Sequence, residues 1–363
     1  MIAFVRRPTP SRVWMMGTPV FAVVLTMVAG GVMFAALGQD PLETMRIIFW
    51  DPLFDPRFGE FSRPQLLIKA GPLILIAIGL SFGFRAGIWN IGAEGQYIIG
   101  ALCGAAFGLA FYPSTHVLIF PGMVVAGALG GWAWAMIPAV LRIRFHANEI
   151  LVSLLLVYVA EVILASAATN WLRNPDGAGF PGSRNLAQHP GTDNPELILG
   201  TGVHLGVVAA FLAVAGAYVI FNRHILGHQI KLAGQTPRVA AFVEVSAARL
   251  VIVCLGVSGA LAGMAGLFEA SGPAGQITID FNTGYGFTAI IVAFLGRLHP
   301  IGILMAGLLM ALTYIGGELA QLMLGIPASA IQAFQGMLLF FLLALDILTH
   351  YRVVRVRRRI GAA

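Results

Sequence analysis

Trp89-Asn90-Ile91-Gly92-Ala93-Glu94-Gly95-Gln96-Tyr97 lies between two apolar runs, residues 66–84 and 98–112. These nine residues bring two amides, a carboxylate, a phenol and two glycines into an apolar setting. Gly92 and Gly95 permit a turn or a close backbone approach. Polar heads at membrane depth either satisfy backbone freed by a break in a helix or line a solute path. Asn90, Glu94, Gln96 and Tyr97 suit both roles, because both need the same groups.

Composition sets the frame around this stretch. Of 363 residues, 58% are hydrophobic and only 10% charged, against roughly a quarter charged in a soluble domain. A polytopic, all-α membrane protein is expected. The net charge of +6 does not imply nucleic acid, since the basic residues sit at span ends without aromatic interleaving. Arg6, Arg7 and Arg12 precede a run too long for the apolar region of a signal peptide, so an uncleaved first span is expected.

Apolar runs near 20 residues mark about ten spans: 13–37, 66–84, 91–112, 117–141, 150–171, 199–221, 250–269, 284–295, 301–322 and 328–349. Placing both termini inside puts 16 of the 22 Lys and Arg on the inner side and 6 outside, which favours that orientation. Outer loops then fall at about 39–65 and 172–198, the second rich in Pro, Gly, Asn and Asp. Ten spans divide into two halves of five, and an odd number inverts the second half relative to the first. Interruptions at 85–95 and 271–286 occupy matching places, as inverted repeats with broken helices require. The whole chain, 1–363, reads as one transmembrane domain. Gly100, Gly104 and Gly108, then Gly122, Ala126 and Gly130, then Gly259 with Gly263 and Ala262 with Gly266, place small residues where helices touch.

An inner segment at about 222–249 carries Gly234-Gln235-Thr236-Pro237-Arg238-Val239-Ala240-Ala241-Phe242-Val243. Pro237 suits the first turn of a short helix with Thr236 as its N-cap, and Arg238 to Val245 would form about two turns. Its apolar face, Val239, Phe242 and Val243, fits either a cytosolic partner or the headgroup layer. His224 and His228 are four residues apart, but no carboxylate or further His completes a metal site, so none is expected. Asn148 and Glu149 fit the cap of the fifth span. Neither lysine, Lys69 or Lys231, lies in a P-loop, and no H-E-x-x-H or G-x-S-x-G occurs, so ATP binding by a P-loop and zinc protease or serine hydrolase chemistry have no support.

Residues 84–96, Phe-Arg-Ala-Gly-Ile-Trp-Asn-Ile-Gly-Ala-Glu-Gly-Gln, resemble the motif of ATP-binding cassette importer permeases for nucleosides and simple sugars, a subgroup of the branched-chain amino acid/ribose permease family. Four more stretches agree, in order: 147–153, 234–245, 256–266 and 284–297. Trp89 stands where Phe is usual, and Gln235-Thr236-Pro237 departs from the usual opening of the coupling loop, which leaves the cargo open. The resemblance implies a permease without its own ATPase motif or cofactor, ATP being used by a partner ATPase subunit. That subunit would dock on Gly234, Pro237, Arg238, Ala240, Ala241 and Phe242. It also implies a second permease chain, an external binding protein or lipoprotein, and a bacterial plasma (inner) membrane location. Tyr285 and Phe287 join Asn90, Glu94, Gln96 and Tyr97 on the implied path. The competing expectation is an ion-coupled secondary transporter of a small polar solute.

Overall fold

The computed structural model describes residues 2–7 and 11–355. In chain order the elements are β1 (Ile2–Arg6), α1 (Arg12–Ala36), α2 (Pro41–Phe49), α3 (Asp51–Phe54), α4 (Gly59–Arg85), α5 (Ala93–Ala110), α6 (Ile119–Phe145) and α7 (Glu149–Thr169). They continue as β2 (Glu196–Ile198), β3 (Val203–His204), α8 (Leu205–Arg223), α9 (Ile225–Gln235), α10 (Pro237–Phe242), α11 (Ala247–Ser271), α12 (Tyr285–Leu295), α13 (Pro300–Leu324), α14 (Ala328–His350) and β4 (Tyr351–Arg355). The strands form two small antiparallel pairs, β1 with β4 and β2 with β3.

Eight of the described helices are long and apolar enough to cross a membrane, namely α1, α4, α6, α7, α8, α11, α13 and α14. The chain is a polytopic membrane protein. Each of the ten apolar runs falls on its own helix; the two outside the eight are α5, which carries Glu94 and Gln96 near its start, and α12, with 11 residues.

Three boundaries differ from expectation. Residues 39–65 hold α2, α3 and the start of α4 rather than a plain loop. Asp40 caps α2 by accepting from the N–H of Leu42 and Glu43, Pro41 sits at its first turn, and Thr44, Ile47 and Ile48 are buried. Helix α4 starts at Gly59, seven residues before its apolar run, because hydropathy marks only the apolar part of a helix. The run at 199–221 begins in the turn of the β2–β3 hairpin, where Gly200 and Gly202 take φ +79° and +73°; helix α8 starts only at Leu205.

The chain forms two units, residues 1–59 with 312–363, and residues 60–311. In the first, α1 packs on α14, and Phe34, Ile47, Ile48, Ala320, Ile331 and Phe334 form a core. In the second, α5, α6 and α11 pack as a trio. A methyl group at Gly100 would overlap the Cα of Gly263, and one at Gly263 would overlap the carbonyl of Gly127. The backbones therefore meet directly, as small-residue packing allows. On α6 Gly122 and Gly130 meet α5, at Phe107 and at Cys103 with the Ile99 carbonyl, as expected, while Gly127 and Gly131 meet α11.

Candidate functional site

Helix α4 ends where the Gly83 carbonyl accepts from both Ala86 and Ile88 N–H, and Gly87 takes φ +74°. The chain then runs non-helically to α5, exposing backbone that needs partners. Asn90 supplies them. Its Oδ1 accepts from Gly92 N–H at 3.1 Å and from Gln96 Nε2 at 3.1 Å, while its Nδ2 donates to Gln96 Oε1 at 2.8 Å and Ser258 Oγ at 2.9 Å. The N–H of Ile91 donates to Ser153 Oγ at 3.2 Å. The N–H of Trp89 donates to Glu149 Oε1 at 3.4 Å, and Glu149 is ion-paired with Arg142. Asn90 and Gln96 are buried, so this amide pair, joining the break to α5 and α11, is fully enclosed.

Glu94 does for a second helix what Asn90 does for the first. Helix α12 starts at Gly284 (φ +79°), which has no side chain to cap it. The carboxyl oxygens of Glu94, fully buried, accept from Gly284 N–H at 3.0 Å and from Gly286 N–H, with the Phe287 amide as a third donor. An acidic side chain on the orphan amides of a helix start is stabilising, and here it comes from 190 residues away. Beside it, Tyr97 stacks on Phe281 (5.4 Å, 15°) and meets Tyr285 edge-on (6.0 Å, 82°). Lys69 Nζ lies 5.9 Å from the centre of the Tyr285 ring, and Asn282 Nδ2 donates to Glu161 Oε1 at 2.7 Å. Phe287 is the exposed member of the group, at 39%.

The inner segment is seated on the same break. A methyl at Gly234 would overlap the carbonyl of Arg85, so α9 rests on the end of α4. Ala240 is buried, whereas Pro237 and Arg238 are exposed, as are Val239, Val243 and Phe242, the last at 89%. A cavity of about 290 Å³ lies between the 86–88 turn, Pro237, Ala240 and Leu250. Helix α10 is shorter than the two turns expected. Thr236 does not cap it, because its hydroxyl donates back to the Leu232 carbonyl and closes α9. The side chain of Ala241 lies outside the described residues. His224 caps α9 through Nδ1, and Asn148 caps α7 as expected.

The profile described as branched-chain amino acid transport system / permease component matches residues 63–343, the span that holds all of this geometry. The chain belongs to that family. It is therefore an ABC permease, a transport subunit without catalytic function, and its family implies ATPase and binding-protein partners. This permease is 32% identical over 357 residues to the glucose ABC transporter permease TsgB13 of Haloferax volcanii, covering 96% of this chain and 92% of that one. It is 26% identical to the guanosine permease NupP of Bacillus subtilis (89% and 91% covered) and 26% identical to the nucleoside permease NupB of Lactococcus lactis (89% of each). No solved structure matches it significantly.

Sequence reasoning about the permease names Asn90, Glu94, Gln96, Tyr97, Tyr285 and Phe287, and the fold gathers all six around the starts of α5 and α12. It misses Ser258, Phe281 and the Asn282–Glu161 pair. Ser258 sits inside a glycine-rich run, and Asn282 and Glu161 are 121 residues apart, so nothing local signals either.

At the other end of this unit, the turn-rich segment 172–198 is not a bare connector. Ser183 N–H donates to the Ile277 carbonyl at 2.8 Å, Ile277 N–H to Ser183 Oγ at 2.9 Å, and Leu186 N–H to the Gly275 carbonyl at 2.6 Å. Beneath it His204 is buried, and burial holds its pKa down at about 4 against an ordinary 6.5. The unfolded chain binds this proton more readily, so stability present above pH 6.5 is lost as pH falls toward 4, up to about 3 kcal/mol in all. The permease should melt progressively lower between pH 6.5 and 4.5, and His204→Asn should flatten that slope relative to wild type. Parallel slopes in the two proteins would show that His204 does not carry it.

Proposed function

We propose that this permease moves a nucleoside or simple sugar through the plasma membrane as one subunit of an ATP-driven importer. The observation that carries the reading is the exposed apolar face of α10, held by Gly234 against the Arg85–Gly87 turn that opens into the Asn90–Gln96 cluster. An ATPase gripping α10 would thereby act on the polar break directly. Gly234 and Ala240 seat the loop, and Pro237, Arg238, Ala241 and Phe242 meet the ATPase. Phe287, exposed, and Asn90, Glu94, Gln96, Tyr97 and Tyr285, enclosed in this state, line the path once the break opens, when aromatic faces and amides suit a base or a sugar ring. The cargo class follows the glucose, guanosine and nucleoside permeases it resembles.

In this reading the ten helices are ten spans of a single permease domain, arranged as two inverted halves with both termini inside. The partners are the ATPase subunit, a second permease chain and an external binding protein or lipoprotein. ATP is consumed by the partner and no cofactor resides here. With one close relative archaeal, the membrane is the plasma membrane of a prokaryote, a bacterial inner membrane being one case.

The test is reconstitution. The complete complex should accumulate nucleoside or sugar only with ATP, and this chain alone should accumulate none; uptake by the chain alone on an ion gradient overturns the reading. Phe242→Asp should weaken ATPase docking at least tenfold, since burying Phe contributes about 1.5–3 kcal/mol and the new carboxylate must also be desolvated. Co-purification of the ATPase with the variant at wild-type yield would remove Phe242 from the interface.

A further inference from the structure

We propose that Arg85 is a positioning residue for transport: its side chain ties α12 to the α4–α5 break, so that a displacement of the inner segment reaches Tyr285 and Phe287. The proposal rests on the transport reading above.

Residues 84–94 hold α12 at both ends. At its start the Glu94 carboxyl accepts from Gly284 N–H at 3.0 Å. In its last turn Phe294 stacks on Phe84 (ring centres 5.2 Å apart, planes at 19°) and on Trp89 (5.8 Å, 24°), and Phe84 and Trp89 meet each other at 5.1 Å. Just past its end, Arg85 Nε–H donates to the Leu298 carbonyl at 2.9 Å. An acid at the start of a helix and a cation at its end both complement the helix dipole, and here one short stretch of chain supplies the two. A helix held in this way follows the break.

The Arg85 bond falls on a turn that needs support. Arg297 and Leu298 both take φ +55°, where bulky side chains are uncommon. Their N–H groups close α12 by donating to the Phe294 and Ala293 carbonyls, and the Leu298 carbonyl is left for Arg85. Such backbone persists only where its surroundings fix it, and the Arg85 donor is part of those surroundings. The guanidinium is itself fixed. Its carbon lies 4.0 Å from the centre of the Phe221 ring, near the end of α8, and Phe221 packs on Phe82 at 4.6 Å. Arginine suits this place because a planar guanidinium can stack on a ring and still donate in its own plane.

The backbone and the side chain of Arg85 therefore do different things. Its carbonyl meets Gly234, where α9 rests on the end of α4, while its side chain reaches α8 and the turn after α12. A movement of α9 imposed through α10 falls first on the Arg85 backbone. The side chain carries it on to α12, whose first turn bears Tyr285 and the exposed Phe287.

The test is Arg85→Leu in the assembled, reconstituted transporter, supplied with guanosine or D-glucose, whichever the wild type accumulates. Leu keeps the backbone carbonyl on which α9 rests and removes the donor and the cation. Solute carried per ATP hydrolysed should fall about tenfold, within the range that single residues contribute to coupling between sites. Hydrogen exchange gives a reading that loss of stability alone would not move. In the wild type, trapping the complex with ATP and vanadate should alter amide exchange at residues 83–91 and at 284–298 together. In Arg85→Leu the nucleotide-dependent change should persist at 83–91 and vanish at 284–298. Phe221→Leu removes the ring under the guanidinium and leaves residues 84–94 and α12 as they are; it should shift both readings in the same direction, and it carries the test if Arg85→Leu does not assemble. A wild-type ratio of solute to ATP in the variants, or exchange at 284–298 that responds to nucleotide in Arg85→Leu as in wild type, overturns the proposal, as does a wild type with no such response. Wild-type complex without ATP-driven uptake of any sugar or nucleoside overturns the transport reading and this proposal with it, whereas normal wild-type uptake with both variants unaffected overturns the role of Arg85 alone.

Discussion

Glu94→Ala should destabilise the permease by roughly 3–5 kcal/mol and abolish transport. Each buried N–H left without an acceptor costs about 1–3 kcal/mol, and Glu94 serves Gly284, Gly286 and Phe287. No close substitute restores the arrangement. Asp is one methylene too short, and Gln turns an NH2 group toward an amide that needs an acceptor. Both should therefore melt well below wild type in detergent, Gln less severely than Ala. Transport lost at an unchanged melting temperature would separate the two roles and assign Glu94 to the cargo path rather than to the helix start.

The second large effect belongs to Gly263. Its Cα faces Gly100 and its missing side chain leaves room for the Gly127 carbonyl, so Gly263→Ala must push α6 away from α11. Overpacking of this kind costs about 1–3 kcal/mol, and more where backbone rather than side chain has to give way. Folded yield and melting temperature should fall together. Gly216→Ala is the matched control: Gly216 has nothing within 4 Å of an added methyl and sits mid-helix in α8, where Ala is favoured by up to about 1 kcal/mol. Equal behaviour of the two variants would show that the trio does not need its glycines.

Much of this was legible from residue types. Apolar runs located all ten helices, because hydropathy and helix share the same stretches, and Asn148 marked a cap by its own chemistry. What escaped was chemistry supplied by the backbone. The partners of Glu94 are amides, which carry no residue signature, so the sequence left open whether its polar neighbourhood served the fold or the path. Helices α2 and α3 were hidden for a different reason: Asp40 and Pro41 do signal a helix start, but the mixed charges around them read as loop. Gly127 and Gly131 went unnamed beside the expected Gly122 and Gly130, since a run of small residues does not say that α6 meets α5 with one face and α11 with another. Thr236 has a hydroxyl that fits either the helix before it or the one after, and the fold uses the former.

Helix α12 has 11 residues and rises about 16 Å, roughly half the hydrocarbon thickness of a bilayer. A crossing made with it leaves one helix end inside the membrane, where an ordinary span would present only side-chain oil to ions. The seal there is made by saturated hydrogen bonds on one carboxyl group instead. Opening those bonds in a helix so placed would bare three backbone amides within the bilayer, so the contact that completes the fold at Glu94 would also bear on how tightly the closed transporter holds the membrane potential.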